Sequence, residues 1–534
     1  MKLRPKSVRN KQKDTEKLSV EKDLLIAKMS KSIDEKTDII DKKSIVISEQ
    51  KHRIEQLQEA LRLERARMYG RSSEKQDNQG ELFDEVELCS DLQKDLDESG
   101  LPDAPELPPK AKKGRKGLSD TLPRTQFFIN LSHEEKEGAI DTFFTKVKEE
   151  LDITPAKVCV IEYMQEKAVF TEDGKRVIKA AEAPKHPLGK TVASVGLLAF
   201  VIISKFCDGL PLYRLENIFK RYGGDISRTS MANWVMKLSL EIQPLLNLLR
   251  EHQHAYDYLH IDETRIQVLK EPGKSPTSNK WMWVTLVGPP DNPVVLFDYD
   301  PSRGKEVPLR LLEGFKGYLH SDGYAGYDAV CTENSLTQLG CWDHARRKFT
   351  DAEKSASKVK HKKTSKVAKY IVALAKIRKL YAIEDRIKNL SKNEKYSARQ
   401  KYSKPALDDI KEWLDKNISK VPKDSKTHTA IQYLLNQWPK MIRYCEDGRL
   451  NISNAPAENA VRPFVIGRKG WLFADTPAGA KASAAHYSLI ETVKANGLEP
   501  FAYYREILSR LPYAETVDDF EKLLPWNIKF SDWP

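Results

Sequence analysis

Cysteine is scarce in this sequence. Only six of its 534 residues are cysteine, and no two of them form a C-x-x-C pair. This spacing excludes a secreted domain framed by disulfides and the usual four-ligand zinc ribbon. The sequence also contains no persuasive Ser–His–Asp or Cys–His grouping of the kind used in nucleophilic catalysis. The cysteines are scattered along the chain as Cys89, Cys159, Cys207, Cys331, Cys341 and Cys445.

Long apolar runs are also missing. The longest, Leu197–Ile203, falls far short of the roughly 20 residues that a membrane-spanning helix needs. The basic N-terminus, MKLRPKSVRN, has no apolar h-region, so we expect no secretory signal. The length favours several domains. We therefore expect a soluble, cytoplasmic, multidomain protein without a membrane partner.

The charge balance is basic but diffuse. Lys and Arg number 89 against 77 Asp and Glu, which gives a formal net charge of +12. This balance is compatible with a nucleic-acid partner. Spread over 534 residues, it does not establish one by itself.

Residues 1–76 contain no proline after Pro5 and almost no glycine before Gly70, which favours a long helix. An apolar residue recurs at every seventh position and forms a single stripe. The positions three residues further on are mostly polar, so the pattern is half of a coiled-coil signal. We predict an N-terminal helix that self-associates; a solitary, partly ordered helix is the alternative. The stripe consists of Ile26, Ile33, Ile40, Ile47, Ile54, Leu61 and Met68.

Residues 77–118 have the composition of a linker. The acidic run Asp84–Glu98 precedes the proline-rich LPDAPELPP and the basic KAKKGRKG, which either contacts phosphates or forms a solvated tether. Residues 119–182 then predict a small β-containing segment. Its predicted elements are strands at Thr125–Ile129, Val158–Tyr163 and Ala168–Thr171 and an acidic helix near Ser132–Leu151.

Residues 183–250 predict a helical region that contains a helix-turn-helix. The first helix ends at Gly223–Gly224, and Ser227 is suited to cap the second. A packed helical hairpin without DNA binding is the alternative. The predicted apolar face of the second helix is Met231, Trp234, Val235 and Leu238. The residues predicted to face outward and to contact DNA are Arg228, Thr229 and Asn233.

Residues 251–350 predict the first part of a ribonuclease-H-like α/β core. Three meandering strands followed by alternating helices and strands are the element order of that fold. The predicted strands are Tyr256–Val268, Lys280–Val287, Pro293–Tyr299, Lys316–His320 and Leu336–Cys341. The predicted helices are Gly304–Leu312, Tyr324–Val330 and one that begins near Trp342.

The core is predicted to be interrupted by a basic helical insertion at residues 351–439. Residues 440–495 would return to the core with a final helix at Pro456–Ile466, and residues 496–534 would form a helical tail.

Three carboxylates are the predicted catalytic and metal-binding residues. Asp262 lies in the first predicted core strand, and Asp322 follows the fourth, its expected neighbour. Glu458 lies near the start of the final core helix, where Asn454 is suited to cap. Three carboxylates suit Mg²⁺ or Mn²⁺, and two such ions can promote in-line phosphodiester transfer. The rival acids are Glu263, predicted to face the other side of its strand, Asp328, and Asp343, explained equally well as a helix cap.

Basic residues stand close to these acids in the sequence. Such a group would attract a polyanion, and phosphate contacts supply most of the affinity for DNA. Each residue taken alone is better explained as an ion pair or a surface charge. The predicted DNA-contacting residues of this group are Arg346, Arg347, Arg462, Arg468 and Lys469.

Several long motifs resemble the DDE transposases of the insertion-sequence-66 family. In the core they are HIDET, SDGYAGYDAV, GCWDHARRKF and the run from ENAVRPFVIGRKGWLF to ANGLEPFAYY. Ahead of the core, GLPLYRLENIFKRYGGDISRTSMANWV and RARMYGRSSEK are similar to further parts of that family. Together the similarity covers nearly the whole chain.

The resemblance implies a ribonuclease-H-like catalytic domain with Asp262, Asp322 and Glu458 as its metal-binding triad. It also implies cleavage at the ends of a mobile element and joining of those ends to target DNA. Water would cleave the strand, and the freed 3′-hydroxyl would attack the target. The implied partners are transposon-end and target DNA at the nucleoid, further copies of the chain, and accessory proteins encoded by the same element.

The sequence departs from the family pattern at three places. HEEKEGAIDTFFTKVKEEL stands where many members carry a cysteine-rich zinc finger, so no zinc is expected there. Ser453-Asn454-Ala455 and Glu458-Asn459 replace the usual Asp-Asn-Asn and Glu-Arg, and CWDHARR replaces CWAHARR. Two alternatives therefore stay open: a non-catalytic, sequence-specific DNA-binding protein derived from a decayed transposase, and a ribonuclease-H-like resolving nuclease.

Overall fold

A computed structural model of the chain describes residues 158–172, 175–288, 292–355 and 367–530. It also describes residues 144–146 and short helical stretches at 22, 28–31, 36–37, 42–45, 47–51 and 53–57. Predictions that lie outside the described residues are the strand at Thr125–Ile129, nearly all of the helix near Ser132–Leu151, the linker, and five positions of the N-terminal stripe.

In chain order, the first elements are β1 (Lys167–Glu172), β2 (Lys175–Ala180), α1 (Val195–Phe206), α2 (Leu212–Arg221), α3 (Arg228–Glu241) and α4 (Gln243–His254). The next are β3 (Tyr258–Ile266), β4 (Lys280–Val287), β5 (Val294–Asp300), α5 (Glu306–Leu311), β6 (Tyr318–His320), α6 (Asp328–Glu333), β7 (Thr337–Leu339) and α7 (Trp342–Ser355). The last are α8 (Lys369–Ile387), α9 (Lys392–Ala398), α10 (Lys404–Asn417), α11 (Lys426–Met441), α12 (Ala455–Trp471), α13 (Pro477–Ala495), α14 (Pro500–Arg510) and α15 (Val517–Glu521).

The chain divides into two discontinuous units. The first contains the described part of Met1–Leu96 together with Leu248–Ile266 and Asn279–Arg462. The second contains the described parts of Asp97–Asn247 and Pro463–Pro534 together with Gln267–Ser278. The domain boundaries expected from the sequence stay predictions beside this division.

The first unit is built on a five-stranded mixed sheet with the strand order β5-β4-β3-β6-β7. The strands β3, β4 and β5 form the antiparallel meander that the sequence predicts, and β6 and β7 join parallel to β3. Strand β4 lies between β5 and β3, and seven of its eight residues are buried. The mixed α/β class is confirmed. Strand β4 has the predicted bounds, β5 is shifted by one residue, and β3, β6 and β7 are one or two residues shorter than predicted at the ends that differ.

The helices after the sheet form a hydrophobic core of their own within the first unit. Helix α7 packs against α8 and α11. The spacing of Ile371, Leu374, Ile377 and Leu380 places an apolar face on α8, and three of these four are buried. Further large residues of this core are Trp342, Phe349, Leu407, Leu414, Ile431 and Leu434.

The second unit contains the predicted helix-turn-helix. Gly223 adopts a positive φ of 80° after α2, and the Ser230 backbone N–H donates to Ser227 Oγ at the start of α3. The predicted apolar face of α3 is buried, and α3 packs against α13. The prediction of a strand at Val158–Tyr163 is wrong, since these residues have no regular structure. The strand predicted at Ala168–Thr171 lies within β1, which pairs with β2 as an antiparallel hairpin.

Candidate functional site

Asp262 and Asp322 follow a matched pair of histidines on neighbouring parallel strands. His260 on β3 stands opposite His320 at the end of β6. Each acid comes two residues after its histidine, toward the same edge of the sheet. Asp262 Oδ1 accepts the Glu263 backbone N–H at 2.8 Å, and Asp322 Oδ1 accepts the Tyr324 backbone N–H at 2.8 Å. The parallel register therefore places the two acids at equivalent positions beyond the matched histidines.

The Asp262 carboxyl lies in a strongly negative environment. Burial raises its pKa well above the ordinary value, and the negative charges of Glu263, Asp322 and Glu458 raise it further. Carboxylates that repel one another in this way hold protons more tightly than isolated ones. A bound divalent cation would offset the repulsion, because it supplies the positive charge that the cluster lacks.

Glu458 lies in the first turn of α12, where the helix dipole favours a negative charge. Its Oε2 accepts a hydrogen bond from Arg347 Nη2 at 3.1 Å. Its Oε1 lies 3.4 Å from His344 Nδ1 and 3.9 Å from Cys341 Sγ. Helix α7 and the residue before it therefore provide all of these contacts to Glu458.

Cys341 and His344 form a Cys–His grouping beside Glu458 that was not predicted from the sequence. One ligand atom from each of Cys341, His344 and Glu458 lies within 4.8 Å of the other two. Burial raises the pKa of the Cys341 thiol, and the charges of Asp343 and Glu458 raise it further. The thiol is therefore protonated at neutral pH and is a poor nucleophile, so covalent catalysis does not follow from this grouping.

Asn454 joins the segment before α12 to β3. Its Oδ1 accepts from His260 Nδ1 at 2.8 Å, and its Nδ2 donates to the Ile261 carbonyl at 2.9 Å. The prediction that the Asn454 side chain caps α12 is wrong, because this side chain is bonded to β3. The Asn454 backbone carbonyl accepts the Glu458 N–H instead. Asn454 is completely buried.

The two histidines belong to the same buried network. Their rings stack with centroids 5.0 Å apart. His320 Nε2 donates to the Gly340 carbonyl, and Tyr258 OH donates to His320 Nδ1. Burial lowers the pKa of His260 to about 4 and that of His320 well below its ordinary value. Both rings are therefore neutral at physiological pH.

The rival acids named in the sequence analysis each have a partner of their own. Glu263 pairs with Arg303 at 2.5 Å and accepts a hydrogen bond from Tyr327 OH. Asp328 pairs with Lys440 at 2.8 Å. Asp343 accepts from Tyr381 OH at 2.6 Å and lies 3.5 Å from Arg346. Each of the three acids therefore has a structural role as a partner in an ion pair or hydrogen bond.

The predicted DNA-contacting residues fall into three groups. Arg228, Thr229 and Asn233 are exposed on α3. Arg346 and Arg347 are half-buried on α7 and face the acids Asp343 and Glu458. On α12, Lys469 is exposed, whereas Arg462 and Arg468 are half-buried.

Two patterns in the sequence indicated contacts that were not predicted from it. The spacing Cys341-x-x-His344 places two ligand-type side chains three residues apart at a helix start, which puts them on one face. The His-x-Asp pattern occurs twice, at His260 and at His320, immediately ahead of the two predicted catalytic acids. The contacts of Asn454 have no comparable local signal, because its partners are 193 and 194 residues away.

Comparison with known proteins identifies the class. Residues 190–482 match the model of the Transposase IS66 family, and residues 488–526 match the IS66 C-terminal element. Residues 56–126 match the model described as Transposase C of IS166 homeodomain. The chain belongs to the IS66 family of transposases.

Similar chains occur in Sinorhizobium fredii. The uncharacterized protein y4qI is 32% identical over 466 residues, which cover 84% of this chain and 83% of that protein. The uncharacterized protein y4hP is 31% identical over 395 residues, or 72% of this chain and 70% of that protein. Among the described helices, none has both the length and the apolar character needed to cross a membrane.

Proposed function

We propose that this chain is a DDE-type DNA transposase that cleaves the ends of an insertion sequence and joins them to target DNA. The observation that carries the proposal is the environment of Asp262, whose pKa is raised by burial and by the charges of Glu263, Asp322 and Glu458. Membership of the IS66 transposase family supports the same reaction. The strand order β5-β4-β3-β6-β7 supports a ribonuclease-H-like core around this site.

Asp262, Asp322 and Glu458 would hold Mg²⁺ or Mn²⁺. The donor set fits, because hard divalent ions prefer carboxylate oxygens and the three acids repel one another without a cation. Such ions would supply charge neutralisation for in-line phosphodiester transfer. Phosphoryl transfer depends mainly on positioning and electrostatics, which agrees with a site that lacks an activated nucleophile of its own.

The protein groups around the acids would set their positions. Asn454 and His260 fix the start of α12 against β3, and the backbone amides of Glu263 and Tyr324 orient the two aspartates. Arg347 holds Glu458 Oε2 in this structure. Arg347 would have to share or release that oxygen when the carboxylate binds a cation, and its guanidinium would then turn toward a DNA phosphate.

DNA, further copies of the chain and element-encoded accessory proteins are the proposed partners, and a DNA partner would place the protein at the nucleoid. The exposed Arg228, Thr229 and Asn233 on α3 would contact the transposon end. The exposed apolar side chains of Ile47 and Ile54 support self-association of the N-terminal helix.

Strand cleavage of element-end DNA tests the proposal directly. The wild type is incubated with labelled end DNA and Mg²⁺ beside Asp262→Asn and the control Glu313→Gln, which alters an exposed acid. We expect nicking by the wild type and the control and a loss of at least a hundredfold in Asp262→Asn. Undiminished cleavage by Asp262→Asn would reject the assignment of this residue.

The second candidate function is DNA binding without catalysis. The observation that favours it is the well-formed helix-turn-helix with three exposed polar residues at its second helix. Specific binding of end DNA that Arg228→Ala and Asn233→Ala weaken, with no nicking in Mg²⁺ or Mn²⁺, would favour this function over the first.

A further inference from the structure

We propose that Cys341, His344 and Glu458 form a separate site for a thiophilic divalent ion such as Zn²⁺, and that occupation of this site withdraws Glu458 from the carboxylate cluster. The proposal that the site binds a metal ion is based on the local geometry of the three side chains. The inhibitory part rests on the proposed transposase function. The site is distinct from the zinc-finger position, which lies ahead of the helix-turn-helix.

Two of the three separations between the ligand atoms are close to those of a tetrahedral site, and all three are within 4.8 Å. Zinc bonds of about 2.0–2.3 Å place neighbouring ligand atoms about 3.3–3.6 Å apart in such a site. Here Glu458 Oε1 lies 3.4 Å from His344 Nδ1 and 3.9 Å from Cys341 Sγ. Small side-chain movements would therefore complete the geometry, with water as a fourth ligand.

The donor set selects for a softer ion than Mg²⁺. Thiolate and imidazole ligands favour zinc, whereas Mg²⁺ prefers oxygen. His344 Nδ1 is buried and makes no hydrogen bond, although it lies 3.4 Å from the Glu458 carboxylate. A bound ion would give this nitrogen a partner. The Asn454 backbone N–H donates to Cys341 Sγ at 3.2 Å, a contact that would also stabilise a thiolate.

Two features oppose the binding of a metal ion to this site. Only an ion that binds its ligands strongly would overcome them. The thiol proton of Cys341 has to leave for solvent, and burial holds it tightly. The Arg347 guanidinium also lies 3.1 Å from Glu458 Oε2 and repels a cation nearby. Arg347, however, contacts Glu458 Oε2 and His344 Nε2. Glu458 Oε1 and His344 Nδ1 would therefore be the atoms that bind the metal. The partly exposed side chains of His344 and Glu458 provide access.

Cobalt binding to the full-length protein tests the site without reference to activity. We expect Co²⁺ to produce thiolate-to-cobalt charge-transfer absorption in the wild type, and Zn²⁺ to remove it. Cys341→Ser and His344→Ala should lose the band, whereas Cys445→Ser, which alters another buried cysteine, should keep it. Circular dichroism checks that each variant is folded. A folded wild type without the band, or a band that survives in Cys341→Ser, would overturn the proposal.

Zinc titration of Mg²⁺-dependent cleavage tests the inhibitory part, with each variant compared to its own zinc-free rate. We expect Cys341→Ser to need at least tenfold more Zn²⁺ for half inhibition, and Arg347→Gln to need less. Equal inhibition of wild type and Cys341→Ser would reject the inhibitory role. A cobalt band in a protein that never cleaves DNA would leave the site standing and reject the transposase function.

Discussion

His260 and Asn454 are joined by a buried hydrogen bond of 2.8 Å from Nδ1 to Oδ1. The bond links β3, two residues before Asp262, to the segment that begins α12, four residues before Glu458. Asn454 strengthens the link by donating to the Ile261 carbonyl. The segments that carry the two proposed metal ligands are therefore joined by hydrogen bonds between neutral groups.

Replacing Asn454 with alanine should destabilise the first unit. The change removes two buried hydrogen bonds and leaves His260 Nδ1 and the Ile261 carbonyl without this partner. Each unsatisfied buried group costs about 1–3 kcal/mol, so we expect a loss of about 2–4 kcal/mol in the free energy of unfolding. Urea denaturation measures it. Asn459→Ala, an exposed position on the same helix, is the control, and equal stability of the two variants would contradict the prediction.

His486 should make the second unit less stable in acid. Burial lowers its pKa from 6.5 to about 4, and the nearby positive charge of Lys205 lowers it further, against the hydrogen bond to the Val235 carbonyl. Between pH 6.5 and about 4 the unfolded chain binds a proton that the folded chain does not. Stability contributed by the neutral ring is therefore present above pH 6.5 and falls by about 3 kcal/mol as the pH decreases through this window.

Urea denaturation at pH 7 and pH 4.5 checks this dependence. The loss of stability on acidification should be smaller in His486→Gln than in the wild type, because glutamine does not titrate. His428→Gln, which removes a histidine of the first unit, is the control for the loss of one imidazole. An unchanged pH dependence in His486→Gln would show that this ring is not responsible.

Arg399 should be essential to the helices that follow α7. It is almost fully buried and pairs with Glu384 at 2.6 Å, and it also donates to the carbonyls of Tyr444 and Asp447. Arg399→Ala leaves the half-buried carboxylate of Glu384 and two carbonyls without this partner. We expect a loss of about 3–5 kcal/mol in the free energy of unfolding. Thermal denaturation measures the effect, and Lys411→Ala, which removes an exposed pair with Asp415, should leave the transition nearly unchanged.

The N-terminal stripe should control the oligomeric state. Ile47 and Ile54 expose about half of their surface, while Gln56 and Glu55 contact Ser419 and Lys420 within the same unit. A second helix that covers the stripe would bury these apolar side chains. Light scattering after gel filtration should report a smaller assembly for Ile47→Asp/Ile54→Asp. The control Ser48→Asp should match the wild type, and an equal mass for all three would reject self-association through this face.

Local patterns made the helix-turn-helix and the meander predictable. The cap at Ser227, the turn at Gly223 and the apolar face of α3 depend on residues within one or two turns of each other, so the sequence encodes them directly. The three strands of the meander follow one another in the chain with turn-forming residues between them. The ends of short strands such as β6 and β7 are harder to predict from the sequence, because they depend on pairing with distant strands.

The sequence by itself determined the family and the mixed α/β class, and it predicted which acids would form the site. Only the tertiary structure decided what surrounds those acids. Glu458 meets Cys341 across 117 residues, and Asn454 meets His260 across 194, so no periodicity or spacing in the chain indicates either contact. The physical reason is that these contacts form only when the sheet and the start of α12 pack together. Their polar groups are then buried, and buried polar groups form hydrogen bonds with one another.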